Sequence, residues 1–440
     1  MNNARRDAVY LLILGSAIFL LLGIALERAA PVSTVDFRVV YFSTRCLLSH
    51  CDPYQEAQLL HIYETQGGET PQDSPKIRKI ETRFNYPPTV FLVTVPVALL
   101  PFGAAQFVWL ALIAGGFITA SFLAWDLAAT HAPLVAGALI AFFLANSQLL
   151  LITGNAAAIV ISLSVVAVWC FLRNRHVALG ILCLAVALAV KPHDAAFVWL
   201  FFLLAGGVHR RRALQTLGVV ILLSIPVLLW VASVAPHAMS ELSGNLHGYA
   251  VLGGINDPGP ASMAAHGLDM MINLQTFLSA VRDEPGFYNP VTYIVCAALL
   301  LIWSVVTLRT RMTLSKTWLA LAVVAPLTML PVYHRQCDAG LLLLTVPACA
   351  MLWARGGAAG RLALLVNSIG FLLVGDIPWA VFLALLNHLR LPASHFSSQV
   401  LLFAQVAPVP LILLVMSAFY LLIYARAASG HDPVADASGS

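Results

Sequence analysis

The sequence contains few charged residues. Only 10% of its 440 residues are charged, whereas 60% are hydrophobic. A soluble globular domain carries roughly 25% charged residues. The composition therefore excludes a soluble enzyme with a single anchor. It predicts an all-α, polytopic integral membrane protein, because helices satisfy their own backbone hydrogen bonds in lipid.

Several functional signatures are also missing. No basic stretch is interleaved with aromatic residues, and the formal net charge is only +4, so nucleic-acid binding is not expected. Neither a C-x-x-C nor an H-E-x-x-H metal pattern occurs. Hard cations need several carboxylates, and the aspartates here are scattered. We therefore predict no metal and no other cofactor.

Long apolar runs dominate what is present. The first run follows Arg5 and Arg6 and resembles a signal sequence, but Pro31 directly after Ala29-Ala30 makes a poor cleavage site. We therefore expect it to stay as the first membrane span. The candidate runs are 8–26, 87–101, 104–126, 133–150, 155–172, 176–190, 194–208, 212–233, 288–308, 316–332, 338–354, 360–380 and 399–424.

The basic residues orient these runs. By the positive-inside rule, the clusters Arg5/Arg6, Arg173/Arg175, Arg210–Arg212, Arg309/Arg311/Lys316 and Arg355/Arg361 should all be cytoplasmic. Thirteen crossings cannot satisfy this, whereas about twelve can if the proline-bounded run 87–101 does not cross fully. Both termini are then cytoplasmic. We predict one transmembrane domain over 1–428 and a disordered tail over 429–440.

The remaining polar segments then share the outer side, which predicts one extracytoplasmic site. They are loop 28–86, Thr153-Gly154-Asn155, Lys191-Pro192-His193-Asp194, loop 234–287, and Tyr333 to Asp338. Within the two large loops, residues 36–48 and Leu268–Val281 read as short helices, the first at the membrane surface. Residues 67–83 read as mobile. Cys46 and Cys51 form a disulfide if the loop meets an oxidising compartment, and two free thiols are equally consistent with their spacing.

The outer motifs resemble a known family in their order and spacing. They are Asp36-Phe37, Tyr41, Asp52-Pro53-Tyr54, Asn85-Tyr86-Pro87-Pro88, Gly154-Asn155, Lys191-Pro192, Asn273-Leu274-Gln275-Thr276, and Tyr333-His334-Arg335 with Asp338. Over roughly 30–390 this set resembles glycosyltransferase family 87, whose members have the GT-C fold. Two positions depart from the family pattern: Asn155 stands for the usual Gln, and Thr276 for the usual Ser.

The resemblance implies a function. A GT-C enzyme of this family takes a sugar, best known as mannose, from a polyprenyl-phosphate donor. It transfers the sugar with inversion, using an aspartate as general base and no nucleotide-sugar domain. We therefore expect a multi-pass protein of the inner (plasma) membrane whose site faces the periplasm. It would pass a hexose to a glycolipid or glycan hydroxyl in cell-envelope glycolipid biosynthesis.

The chemistry of the residues agrees with this expectation. Outside the cytoplasm an activated sugar must arrive on a membrane carrier, and its transfer needs a base for the acceptor proton. Asp36 is the candidate base; an ion pair with Arg38 or Arg45 is the structural alternative.

The leaving phosphate needs cations. Lys191, His334 and Arg335 are the candidates for binding the donor phosphate. Structural alternatives are a snorkelling Lys191, a neutral His334 bonded to backbone, and a pairing of Arg335 with Asp338.

Candidate sugar- and acceptor-binding residues complete the predicted site: Tyr41, Tyr54, Tyr86, Asn155, His193, Asn273 and Gln275. The tyrosines alternatively belong to the interfacial aromatic belt, and Asn273 to a helix cap. Asp194 is a weaker candidate that alternatively pairs with Lys191.

Two other functions fit a polytopic protein. One is a transporter or flippase of a lipid-linked substrate, and the other is a glycan transferase resembling O-antigen ligases. Against transport, the polar groups gather on one side, and matched broken helices are missing from the sequence. Against the ligase, the aspartate pattern of the first loop is not typical of that class.

Overall fold

The computed structural model describes residues 3–30, 33–67, 83–260, 262, 270–388 and 395–430. Within these ranges the chain is helical, and its β-structure is limited to one isolated bridge between Met271 and Arg335. The all-α fold class is therefore confirmed. In chain order the helices are α1 Asn3–Ala29, α2 Val35–Leu48, α3 Glu56–Ile62, α4 Phe91–Ala98, α5 Phe102–Ala128, α6 Pro133–Leu144, α7 Leu149–Thr153, α8 Ala157–Leu172, α9 Val177–Val190, α10 Pro192–Leu204, α11 Gly207–Val234, α12 Ala238–Ala250, α13 Leu274–Val281, α14 Pro285–Arg309, α15 Leu314–Thr328, α16 Val346–Arg355, α17 Gly357–Val374, α18 Asp376–His388, α19 His395–Val406 and α20 Pro408–Ala428.

Many of these helices have the dimensions of membrane spans. In the described residues, eight helical segments are long and apolar enough to cross a bilayer: Asn3–Ala29, Phe102–Ala128, Pro133–Thr153, Gly207–Val234, Pro285–Arg309, Gln336–Arg355, Gly357–Val374 and Pro408–Ala428. Shorter apolar helices, among them α8, α9, α10 and α15, lie between them. The protein is thus a multi-pass membrane protein, and the number of about twelve crossings stays a prediction.

The run 87–101 forms a short broken segment. A 3₁₀ turn, Pro88–Val90, leads into α4, which has eight residues and contains Pro96. Eight helical residues rise about 12 Å, well short of the roughly 30 Å of a hydrocarbon core. The segment is therefore short and broken, as expected for a run that does not cross the bilayer fully.

Small residues let the first helix approach its neighbour closely. A Cβ on Gly15 of α1 would lie 2.5 Å from the carbonyl oxygen of Ala141 in α6. A Cβ on Gly137 of α6 would lie 2.7 Å from the Cβ of Ala8. Close backbone approach of this kind is how helices pack in lipid, where apolar burial gives no driving force between them.

Other helices present apolar surface outward. Leu222 and Leu229 of α11 are 70% and 67% exposed. Large apolar side chains exposed along a 28-residue helix fit a lipid-facing surface.

Helix α2 packs against the neighbouring helix α5. Helix α2 matches the predicted helix 36–48, but Phe37, Val40 and Tyr41 are buried, and Phe37 stacks on Phe102 and Trp109 of α5. The apolar side chains of this helix therefore pack into the helical bundle, and its position along the membrane surface stays a prediction.

The second short helix is α13, which starts later than the predicted Leu268. Cys46 and Cys51 are joined as a disulfide, with their Cα atoms 5.0 Å apart. The predictions of mobility for most of 67–83 and of disorder for the tail concern residues 68–82 and 431–440, which lie outside the described residues.

Candidate active site

Several of the motifs that sequence analysis assigns to the outer side line one cavity of about 310 Å³. Its lining comes from segments far apart in the sequence, so the helical fold brings the motifs together. The lining residues are Val35, Asp36, Val39, Asn85, Tyr86, Pro87, Thr153, Asn155, Lys191, His193, Leu246, Tyr249, Ile255, Asn256, Tyr333 and Arg335.

Asp36 is held at the cavity by Asn155. It lies in the first turn of α2, where the helix dipole favours a carboxylate. Nδ2 of Asn155 donates a 2.8 Å hydrogen bond to Oδ2 of Asp36. The amide of Asn155 is itself oriented, because its Oδ1 accepts a 2.8 Å bond from the backbone N–H of Ala157. The carboxylate is therefore positioned through a side chain whose own orientation is fixed by the backbone.

The glycine before Asn155 allows this approach. Gly154 has a φ of +64°, in the left-handed region that favours glycine. A Cβ there would lie 3.0 Å from the Cβ of Phe37 and 3.3 Å from that of Thr34. Its carbonyl accepts a 2.8 Å bond from Nε1 of Trp109. The Gly154-Asn155 pair thus lets α2 pass close enough for Asn155 to reach Asp36.

Lys191 lies at the break between two helices. It ends α9 and precedes α10, whose first residue is Pro192, a residue preorganised for a helix start. Its side chain is buried and forms ion pairs with Asp338 and, at 3.1 Å, with Oδ2 of Asp194. The snorkelling alternative is therefore wrong, and the predicted pairing with Asp194 is present.

Arg335 reaches the cavity through several contacts. Its Nε donates to the Tyr333 hydroxyl at 2.7 Å, and a terminal nitrogen donates to the Ile255 carbonyl at 3.0 Å. Its backbone N–H donates to Oδ2 of Asp338 at 2.7 Å, so the predicted pairing with Asp338 runs through the main chain rather than the guanidinium. The guanidinium is thereby held at the cavity wall.

His334 does not line the cavity. It is fully buried, with Nδ1 3.0 Å from the Val332 carbonyl and Nε2 3.1 Å from Oδ1 of Asp194. The structural alternative, a histidine bonded to backbone, is therefore present. His334 and the partly exposed His193 lie edge to face, with ring centroids 5.0 Å apart. His193, Asp194 and His334 offer three ligand atoms within 4.8 Å of one another, a group that could hold a metal ion.

Of the three predicted tyrosines, only Tyr86 lines the cavity. Burial, together with the nearby Asp36 charge, raises the pKa of Tyr86 well above its ordinary value of 10, so its phenol stays protonated. Tyr54 is buried behind it and donates from its hydroxyl to the Tyr86 carbonyl at 3.0 Å. Tyr41 is buried in an aromatic cluster and donates to the Leu100 carbonyl at 2.9 Å. Tyr54 and Tyr41 thus support the surrounding structure, because neither ring reaches the cavity.

Asn273 and Gln275 also lie away from the cavity lining. Asn273 caps α13, accepting from the backbone N–H of Thr276 at 3.1 Å, as the capping alternative predicts. Gln275 accepts from Asn273 at 2.9 Å and donates to Asn289 at 2.7 Å. Next to this cap, the N–H of Ile272 donates to the His334 carbonyl at 3.0 Å. This motif therefore supports the Tyr333-His334-Arg335 segment from behind.

The second large loop closes the cavity. Nδ2 of Asn245 in α12 donates to the carbonyls of both Tyr54 and Phe84, each at 3.0 Å, and the Tyr249 hydroxyl donates to the Arg83 carbonyl at 2.7 Å. Sequence reasoning missed four lining residues with side chains suited to substrate contact: Leu246, Tyr249, Asn256 and Tyr333. Of these four, only Tyr333 could have been predicted as a site residue from its motif, since it directly precedes His334-Arg335.

Comparison with known proteins finds one family model that matches part of the chain. The model of glycosyltransferase family 87 matches residues 84–268, a region that contains Tyr86, Asn155, Lys191 and His193. No curated protein and no solved structure matches the chain significantly. The family match supports a membrane glycosyltransferase activity. The match over residues 84–268 agrees with the family that the motifs indicate, so this multi-pass membrane protein is similar to glycosyltransferase family 87 in that region.

Proposed function

We propose that the protein transfers a hexose, mannose being the leading candidate, from a polyprenyl-phosphate donor to a glycolipid or glycan hydroxyl on the extracytoplasmic side. The observation that carries this proposal is the shared cavity: Asp36, Tyr86, Asn155, Lys191, His193 and Arg335 all line it. A carboxylate and two cations at one cavity are the groups that transfer from a phosphate leaving group requires.

Asp36 is the general base in this proposal. Removing the acceptor proton requires a carboxylate within hydrogen-bond reach of the hydroxyl, and Asn155 holds one oxygen of Asp36 in a defined orientation at the cavity. A base on one face of the sugar and a leaving phosphate on the other give inversion at the anomeric carbon. In this mechanism no covalent intermediate forms.

Lys191 and Arg335 bind the leaving phosphate. Both line the cavity, and both are held in place by other groups, Lys191 by two carboxylates and Arg335 by Tyr333 and Ile255. Preorganised cations need no rearrangement as charge develops on the phosphate. In this proposal His334 does not bind the phosphate directly, because it is buried behind His193 and does not line the cavity.

Tyr86, Tyr249 and Tyr333 give the cavity aromatic walls, and apolar sugar faces pack against aromatic rings. Asn256 and His193 supply hydrogen-bonding side chains at the same cavity. The proposal therefore assigns sugar binding to these residues, and assigns Tyr41, Tyr54, Asn273 and Gln275 to supporting the cavity walls.

The test uses purified protein in nanodiscs. It is incubated with a panel of radiolabelled polyprenyl-phosphate sugars and a membrane lipid extract, beside Asp36→Asn and a matched control, Asp283→Asn. Asp283 is exposed and does not line the cavity. Label should enter a new glycolipid with wild type and the control only.

The same material distinguishes the alternatives. If liposomes show that wild type and Asp36→Asn move labelled donor across the bilayer equally well, without a new product, the transferase proposal gives way to a flippase. If a whole glycan moves rather than one sugar, it gives way to the ligase.

A further inference from the structure

A compact group of metal-ligand atoms lies beside the cavity. Oδ1 of Asp194 is 3.1 Å from Nε2 of His334 and 3.7 Å from Nε2 of His193. Asp194 and His334 are fully buried, and the side chain of His193 is 35% exposed. Two residues come from the start of α10, and the third from the segment between α15 and a 3₁₀ helix, Gln336–Thr345. The fold therefore brings these ligands together from distant parts of the sequence.

His334 is held between two groups, one at each ring nitrogen. Its Nδ1 lies 3.0 Å from the Val332 carbonyl, and its Nε2 lies 3.1 Å from Oδ1 of Asp194. The ring therefore presents Nε2 to the same carboxylate oxygen that His193 faces.

The three facing atoms lack well-aligned hydrogen bonds. Among the described residues, Nε2 of His193, Nε2 of His334 and Oδ1 of Asp194 are buried without an aligned hydrogen bond. Buried polar atoms without partners are costly and rare. An ion bound to all three atoms would satisfy them together.

The local charge favours a cation as well. Lys191 forms ion pairs with both Asp194 and Asp338, and all three side chains are buried. One cation between two carboxylates leaves one formal negative charge in a low-dielectric site, which is unfavourable. A bound divalent ion with one anion in its fourth position would bring the formal charge of this group to zero.

We propose that His193, Asp194 and His334 bind a divalent metal ion of the zinc type. Two imidazoles and one carboxylate suit Zn²⁺ rather than Mg²⁺, which prefers oxygen ligands. Tetrahedral ligands with bonds of about 2.0 Å are roughly 3.3 Å apart. The two distances from Oδ1 of Asp194 are 3.1 and 3.7 Å, and all three ligand atoms lie within 4.8 Å of one another. The Val332 carbonyl on Nδ1 of His334 is the outer partner that metal-bound histidines usually have. Three protein ligands leave a fourth position for water or an anion.

This site was not predicted because the sequence argument considered hard cations and short-range motifs. It does not depend on the proposed sugar transfer, since metal content is measured without activity. The ion ties α10 to the segment carrying Arg335, so its first role is to hold His193 and Lys191 at the cavity wall.

The test measures metal content directly. The protein is purified in detergent with a histidine-free affinity tag and no chelator, and its zinc is determined by mass spectrometry. The apoprotein is then titrated with Co²⁺, whose visible absorption reports tetrahedral coordination. We expect about one ion per chain. His193→Gln and Asp194→Asn should each weaken binding at least about tenfold.

Two controls make the result decisive. His61→Gln removes an exposed histidine distant from the group and should bind metal as wild type does. Gel filtration establishes that each variant is folded, and His193→Gln is the most tolerant change because that side chain is partly exposed. The proposal is overturned if wild type retains no zinc and binds no Co²⁺. It is equally overturned if folded His193→Gln binds with wild-type affinity and spectrum.

Discussion

Nδ2 of Asn155 donates a 2.8 Å hydrogen bond to Oδ2 of Asp36, joining the first turn of α2 to the start of α8. The bond holds one oxygen of the Asp36 carboxylate in place at the cavity wall. It also gives the Gly-Asn motif a physical role, which is to orient the candidate base.

Removing this bond should slow transfer without abolishing the fold. A hydrogen bond to a charged group contributes roughly 1.5–3 kcal/mol, so Asn155→Ala should lower kcat by about 10- to 100-fold. Asn155→Gln, which keeps the amide, should retain much of the activity. Steady-state kinetics with the identified donor check both variants. Unchanged kcat in Asn155→Ala would show that Asp36 is oriented by other groups.

Gly154→Ala should destabilise the protein. An alanine at φ +64° costs about 1–2 kcal/mol, and its Cβ would crowd Phe37 at 3.0 Å. The change should therefore lower both the thermal unfolding temperature in detergent and the transfer rate, because it moves α2 away from Asn155. Gly103→Ala is the matched control, since a Cβ there meets nothing within 4 Å. Equal unfolding temperatures for the two variants would contradict the close approach.

Lys191 should have both a structural and a functional role, and a double variant separates them. Lys191→Met leaves Asp194 and Asp338 buried without their cation, a loss of about 3–5 kcal/mol for a broken buried pair. Adding Asp338→Asn removes one stranded charge and should restore part of the thermal stability. Transfer should stay low in the double variant, because the phosphate still lacks its cation. Full recovery of transfer would assign Lys191 a purely structural role.

The Cys46–Cys51 disulfide gives a test of sidedness. Structural disulfides persist in oxidising compartments and are rare in the cytoplasm. Peptide mass spectrometry of protein alkylated without reductant should therefore recover residues 46 and 51 as one linked pair. Alkylation of both thiols in freshly lysed cells would place this loop, and the cavity beside it, on the cytoplasmic side.

Much of the site followed from sequence because its motifs lie at helix ends. Lys191-Pro192 and Gly154-Asn155 each interrupt an apolar run. The positive-inside rule predicts that both breaks lie on the same side of the membrane as Asp36. Charge counting along the chain predicted a common side for these breaks, and the structure places Asn155 and Lys191 at one cavity with Asp36.

The site predictions that differ from the structure do so for physical reasons. A motif such as Tyr333-His334-Arg335 does not reveal which side chain turns inward, and here His334 is buried while its two neighbours line the cavity. Nor does helical periodicity predict that α12 bonds to the first loop through Asn245. The proposed metal-ligand group was missed because His334 lies beside His193 and Asp194 only after folding.

The role of Asp36 as the base is tested most directly by single-turnover transfer with Asp36→Asn at saturating donor. The carboxamide keeps the shape of the side chain but cannot remove the proton from the acceptor hydroxyl. We predict a rate lowered by about 10²- to 10⁴-fold, with donor binding little changed. A rate near that of wild type would contradict the assignment of Asp36 as the base.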